Sequence, residues 1–243
     1  MRLDKFICDT INITRNQAKT KISSGVVLVD GVVVKSSSYK VDESKSVVTV
    51  EGQVLQYNKY VYIMMNKPHG VLSAAKDSKC KTAIDLLSEE DKRHDLFIAG
   101  RLDKDTTGFL LITNDGDFAH SILSPKKHIF KTYFVTLQHN DVEGYEKLFS
   151  DGIILDDGYK CKTAEFEYIE GNHCKLKISE GKFHQIKRMF HSLGNEVVAL
   201  SRIAMGDLFL DEGLKEGEYK YLTDKEVQKI MCNFTKKTSS NFG

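Results

Sequence analysis

The rhythm of apolar and polar positions changes once along this chain, near residue 58. Before that point Leu3, Phe6 and Ile7 recur at helical spacing, and Ala18 and Ile22 form the apolar stripe of a second helix predicted over residues 15–24. Thr14 with Gln17 has the form of a capping box at its start, and Gly25 stands where it should stop. The β-branched runs 26–29 and 32–34, joined by Asp30-Gly31, predict a hairpin, and Val41, Val47, Val48 and Val50 add further strands. Residues 1–57 therefore read as a compact unit of two helices and a small sheet, followed by a polar break at 56–59.

Beyond the break, short strand-like runs dominate: 61–65, 109–113, 133–136, 164–169, 174–178 and 197–200. Asn114-Asp115-Gly116 and Glu170-Gly171-Asn172 are turn signals between them. Thr223 with Glu226 marks a capping box opening a final helix, and the polar residues 236–243 are expected to be a disordered tail. Residues 60–235 thus predict a larger α+β domain on a mainly antiparallel mixed sheet.

Composition narrows the class. Of 243 residues 41% are hydrophobic, enough to bury a substantial core. Lys+Arg (35) and Asp+Glu (34) nearly cancel to +1, so local charge has to decide whether nucleic acid is a partner. Cys8, Cys80, Cys161, Cys174 and Cys232 are dispersed, with no C-x-x-C pair. That argues against a disulfide framework or a zinc site and fits a reducing cytoplasm. No apolar run approaches the ~20 residues that span a bilayer, so a cytoplasmic protein with no membrane partner is expected.

Local charge gathers in two places. Arg2, Lys5, Arg15, Lys19 and Lys21 outnumber Asp4 and Asp9, and Arg15 and Lys19 lie one helical turn apart. They form either a phosphate-tracking face or a solvated helix surface. Residues 181–194 carry Lys182, His184, Lys187, Arg188 and His191 with no acid, while Phe183, Ile186, Phe190 and Leu193 fall on another side. This pattern predicts one amphipathic helix with a cationic face.

The chemically most pointed stretch is Gly100-Arg101-Leu102-Asp103-Lys104-Asp105-Thr106-Thr107, ahead of Gly108 and the apolar run 109–112. It sets Asp103 beside an arginine on a loop entering a buried strand. A carboxylate there is held rigidly yet stays reachable, as a nucleophile or general base requires. Asp103 is the expected reactive residue.

Two resemblances join these segments. Arg2-Leu3-Asp4-Lys5-Phe6, Thr14 to Lys19, Ile22, Gly25, Val27, Val29 and Asp30-Gly31 resemble the S4 RNA-binding domain. Asn66-Lys67-Pro68-His69-Gly70-Val71, the 100–108 stretch, Phe130-Lys131-Thr132-Tyr133 and residues 180–189 resemble, in order and spacing, the bacterial ribosomal RNA pseudouridine synthases of the RsuA type. The resemblance implies an enzyme that breaks the glycosidic bond of a uridine in RNA, turns the base and rejoins it through carbon, with an aspartate and neither metal nor cofactor. Asp103 matches that aspartate, and Tyr133 the tyrosine that stacks on the flipped base. Lys187 matches the cation that keeps the acid ionised, in a position where many relatives carry arginine. Lysine keeps the charge but loses the planar two-pronged contact.

The same resemblance assigns Arg101 to extrusion of the base. Arg2, Lys5, Arg15, Lys19, Lys67, Lys131, His184 and Arg188 are the further expected RNA contacts. Asp105 and Thr106 are expected to shape the loop, and Phe109 and Lys182 are conservative departures from the usual leucine and arginine. The compact first domain, residues 124–128 and the short C-terminal tail point to 16S ribosomal RNA in a small-subunit assembly intermediate as the partner, with the chain acting as a monomer. The competing readings are a 23S ribosomal RNA enzyme of the same family, a non-catalytic RNA-binding or ribosome-assembly protein, and a glycoside hydrolase using Asp103 with Asp105. The RNA-binding unit and the absence of tryptophan for sugar stacking speak against the last.

Overall fold

The computed structural model describes residues 1–93, 95–124 and 129–232. The expected tail 236–243 and residues 125–128 of the basic segment lie outside the described residues. The chain divides into two compact units, one of Met1–Tyr60 with Leu87–Leu96, the other of Val61–Leu86 with the chain from Phe97 onward.

In the first unit, α1 (Leu3–Ile11) and α2 (Arg15–Ser23) precede β1 (Val27–Val29), β2 (Val32–Val33), β3 (Val48–Val50) and β4 (Gln53–Leu55). The strands form an antiparallel sheet in the order β2-β1-β3-β4. The Thr14–Gln17 capping box forms in both directions, and Asp30 and Gly31 both adopt positive φ (52° and 81°), as a type I′ hairpin turn requires. Leu3, Phe6 and Ile7 from α1, Ala18 and Ile22 from α2, and the valines of β1 and β3 make its core. β4 escapes sequence reading because its central Val54 is exposed and no alternation marks it.

Residues 87–96 correct the expectation that 60–235 is one uninterrupted domain. The Asn12 side-chain amide donates to the carbonyls of Glu89 and Lys92, both at 2.9 Å, and the Arg93 guanidinium donates to the Asn58 carbonyl at 3.2 Å. These polar bonds leave no apolar period to read.

The second unit is built on a nine-stranded sheet. Its elements are β5 (Tyr62–Lys67), β6 (Phe97–Ala99), β7 (Thr107–Thr113), α3 (Gly116–Leu123), β8 (Lys131–Leu137), α4 (Tyr145–Asp151), β9 (Glu165–Glu170), β10 (His173–Ile178), α5 (Gln185–His191), β11 (Val197–Met205), β12 (Leu208–Phe209), β13 (Tyr219–Tyr221) and α6 (Asp224–Met231). The order is β13-β5-β7-β11-β8-β10-β9, with β6 on β7 and β12 on β11. Among the described residues only β7 and β11 pair in parallel, so the architecture is α+β with a mixed, mainly antiparallel sheet. Gly108 permits that parallel approach. Its φ is +94°, and a Cβ there would lie 2.3 Å from the Arg202 carbonyl oxygen.

Local chemistry decides two departures from the sequence pattern. Asn114-Asp115-Gly116 is a helix start, because the Asp115 carboxylate accepts from the Phe118 N–H at 3.0 Å and caps α3. The helix expected over 181–194 occupies only Gln185–His191, with His184 left-handed at φ 50°. The Gln185 side chain accepts from the Lys182 N–H at 3.0 Å and donates to Glu180 at 2.9 Å, folding the preceding residues into a tight loop. Phe183 therefore does not join the buried side of α5, where Ile186 and Phe190 lie and Phe190 packs on Tyr145 and Phe149 of α4.

Candidate active site

The loop between β6 and β7 carries Asp103, and buried groups hold its carbonyls one after another. Arg202, 2% exposed in β11, donates from Nη2 to the Gly100 carbonyl at 2.8 Å and from Nε to that of Phe109 at 2.7 Å. The Ser73 hydroxyl donates to the Leu102 carbonyl at 2.7 Å and accepts from the Leu102 N–H at 3.0 Å. Lys67, fully buried at the end of β5, donates from Nζ to the carbonyls of Pro68 (3.0 Å), Lys104 (3.2 Å) and Thr106 (2.9 Å). The Gly70 N–H adds a second bond to Lys104, at 2.8 Å. A loop with its polar backbone satisfied in this way is a rigid mount for a side chain. Burial pushes the Lys67 ammonium down to about 8, even though Asp105 and Asp103 act in the opposite sense.

Beside this loop lies a cleft lined by Arg101, Asp103, Thr106, Tyr133, His184 and Lys187, among others. The Asp103 side chain is 31% exposed. Its nearest basic side chains are His184, with Nε2 at 3.6 Å, and Lys187, with Nζ at 3.8 Å, both measured to Oδ2, and among the described residues it accepts no hydrogen bond. Lys187 lies closer to Asp105, with Nζ 2.7 Å from each carboxylate oxygen. That bond holds the Asp105 carboxyl below the usual carboxylate range. The pairing expected between Lys187 and Asp103 is thus shared, and Asp105 does more than shape the loop. Tyr133 alternates with Lys131, Val135 and Leu137 on the buried face of β8 and stands opposite Arg202 of β11, its ring at the cleft. The Thr106 hydroxyl is buried without a hydrogen-bond partner among the described residues.

A family model described as RNA pseudouridylate synthase matches residues 61–192, and an S4 domain model matches residues 1–47. The chain belongs to the RNA pseudouridylate synthase family. It is 44% identical to an uncharacterized RNA pseudouridine synthase of Bacillus subtilis, over 93% of this chain and 97% of the relative. It is 45% identical to the ribosomal small subunit pseudouridine synthase A of Vibrio cholerae, over 95% of this chain and 99% of the relative. Among solved structures, a pseudouridylate synthase crystal structure superposes with a TM-score of 0.67 at 40% identity, covering 95% of this chain and 99% of the other.

Several cations of this RNA pseudouridine synthase lie elsewhere than a surface contact requires. Lys67 is a buried clamp on the loop. Lys131 is also buried, 7% exposed on the same face of β8 as Tyr133. Its side chain has no hydrogen-bond or ion-pair partner among the described residues, and burial together with the Arg202 charge brings it down to about 8. Arg188 is held by Asp156 and Asp157, so the cationic helix has acids after all, brought from other segments. Lys187 and His191 likewise meet Asp105 and Glu196. In the first unit Arg2 is paired with Asp4 at 2.8 Å and Lys5 with Asp9 at 2.7 Å. Arg15, Lys19 and Arg101 remain exposed, without an ion pair among the described residues.

Sequence reasoning missed Ser73 and Arg202 as supports of the loop. Arg202 left one signal, a lone charge inside a run that is otherwise strand-like, and Ser73 left none. No helix among the described residues is long and apolar enough to cross a membrane.

Proposed function

We propose that this enzyme converts one uridine of 16S ribosomal RNA to pseudouridine in the cytoplasm, acting on the RNA or on a partly assembled small subunit, with Asp103 as nucleophile. The observation that carries the reading is the state of Asp103: mounted on a clamped loop, reachable in the cleft, its carboxylate free of hydrogen bonds among the described residues, and flanked by the Lys187 ammonium and the His184 imidazole. The relatives of Vibrio cholerae and Haemophilus influenzae named ribosomal small subunit pseudouridine synthase A, 45% and 40% identical, support the small-subunit target.

In this reading the S4 domain docks the RNA and Arg101 braces the gap left when the uridine swings out of its stack. The Asp103 carboxylate attacks C1′ as the bond from C1′ to N1 breaks, and the freed uracil turns against Tyr133. C5 then displaces the carboxylate from C1′, so that the bond from C1′ to C5 forms as the ester bond to Asp103 breaks, the proton on C5 departs, and N1 ends protonated. Atoms and oxidation state are conserved, as an isomerisation requires. Lys187 places positive charge, and His184 an imidazole, beside the acid while it forms and gives up its bond.

The test is to map pseudouridine in ribosomal RNA from cells lacking the gene and from cells carrying only Asp103→Asn. Loss of one 16S site in both strains is the expected result. Loss confined to 23S RNA would reassign the target, and full modification by the Asp103→Asn protein would remove Asp103 from the chemistry.

A further inference from the structure

Phe183 is 77% exposed, more than any other large apolar side chain among the described residues. A single exposed apolar residue is ordinary on a protein surface, but this one is held in place. Its ring stacks on that of His184 with centroids 3.8 Å apart and planes 17° apart. The loop beneath is pinned by partly buried bonds. Glu180 accepts from the Tyr159 hydroxyl at 2.7 Å, from the Lys162 N–H at 2.9 Å and from the Gln185 amide at 2.9 Å, and Gln185 accepts from the Lys182 N–H at 3.0 Å. His184, in the left-handed conformation at φ 50°, turns its Nε2 to within 3.6 Å of Asp103. One aromatic ring therefore separates the exposed Phe183 from the carboxylate. Lys182, Arg101 and His184 line the same cleft, so cations share it with the stack. A fixed aromatic face among cations is the arrangement that receives an unstacked base of single-stranded RNA.

The geometry points to Phe183 and His184 as a stacking shelf for the nucleobase adjoining the extruded uridine. This rests on the proposal that Asp103 reacts with a uridine in RNA. Extrusion leaves the neighbouring base with one face bare, and the shelf offers that face a new partner beside the reaction centre. Phe183 is then a substrate-positioning residue whose effect depends on the presence of one particular base.

The test uses a 16S ribosomal RNA fragment carrying the target uridine, with each flanking nucleotide in turn replaced by 2-aminopurine and bound to the Asp103→Asn protein. Fluorescence at one flanking position is expected to be quenched, released by adding Phe183→Ala and kept by Phe183→Tyr or Phe183→Trp. In the active enzyme Phe183→Ala is expected to lower kcat/KM about tenfold. An abasic nucleotide at the quenched position should cost the wild type a similar factor and the Phe183→Ala enzyme nothing more. The shelf is overturned if the two penalties multiply at both flanking positions, or if alanine and tryptophan at 183 behave alike. Failure of the functional proposal would show differently, as isomerisation surviving Asp103→Asn.

Discussion

Lys187 contacts both carboxylate oxygens of Asp105 at 2.7 Å while standing 3.8 Å from Asp103, so a single ammonium serves two acids of one loop. The contact with Asp105 fixes where the charge sits, and the longer one places it beside Asp103, the proposed nucleophile. Lys187→Met is expected to slow single-turnover pseudouridine formation about 10²- to 10³-fold, with RNA affinity changed less than about threefold. Lys187→Arg, which keeps the charge and can fork onto Asp105, is expected to retain activity within about tenfold. Equal losses in both variants would show that shape at position 187 matters and charge does not.

Lys67 never reaches the surface, yet it holds the Lys104 and Thr106 carbonyls on the far side of Asp103. Lys67→Met would take a donor from three carbonyls, of which that of Lys104 keeps the Gly70 N–H, a loss of about 1 kcal/mol or more for each one left unpaired, partly offset by no longer burying an ammonium. The expected outcome is a modest fall in stability and a fall of about 10² in kcat, because the acid loses its fixed position. Amide hydrogen exchange at Leu102 and Thr106 reports the loosening directly. Unchanged exchange in the variant would dismiss the clamp.

Both buried lysines, Lys67 and Lys131, have been brought down to about 8, well below an exposed lysine near 10.4. Between about pH 8 and pH 10 the unfolded chain therefore keeps protons that the folded protein has released, and stability rises with pH across that window. Lys131 loses no hydrogen bond among the described residues when replaced. Lys131→Met is accordingly expected to be more stable by about 2 kcal/mol at pH 7 and to show a shallower rise toward pH 10 in urea titrations. A parallel rise in variant and wild type would assign the pH dependence to other groups.

The difference between free and paired cations is measurable through salt. Arg101→Ala and Lys19→Ala are each expected to reduce the slope of log K for RNA against log salt by about one ion, since each residue is free to meet a phosphate. Arg188→Ala should leave the slope unchanged, because Asp156 and Asp157 already neutralise that guanidinium. Filter binding from 50 to about 300 mM salt separates the two groups, and a slope change in Arg188→Ala would return it to the RNA surface.

Features caused by residues a few positions apart are legible in this sequence, and features caused by distant residues are not. The Thr14 and Thr223 capping boxes, the Asp30-Gly31 turn and six strands of the larger sheet follow from neighbours, and each is found in the structure, whereas the short β6, β12 and β13 escape the pattern. The Asp103 loop is legible as a loop, but its supports are not, because Arg202 acts across 93 and 102 positions and Lys67 across 39. The basic run at 182–191 looks uncompensated for the same reason. Its acids come from Asp105, Asp156 and Asp157, which lie far away along the chain. Lys67 and Lys131 show the converse, since a motif identifies a cation and only burial tells what it touches.

Ten residues, Leu87–Leu96, belong with the first unit although they arise within the stretch of chain that builds the second. A recombination event exchanging everything before residue 60 for another docking head would strand them, with neither Asn12 to bind their carbonyls nor Asn58 to receive Arg93. Trading heads cleanly takes three crossovers instead of one, so head and graft are expected to pass between lineages as one inherited block.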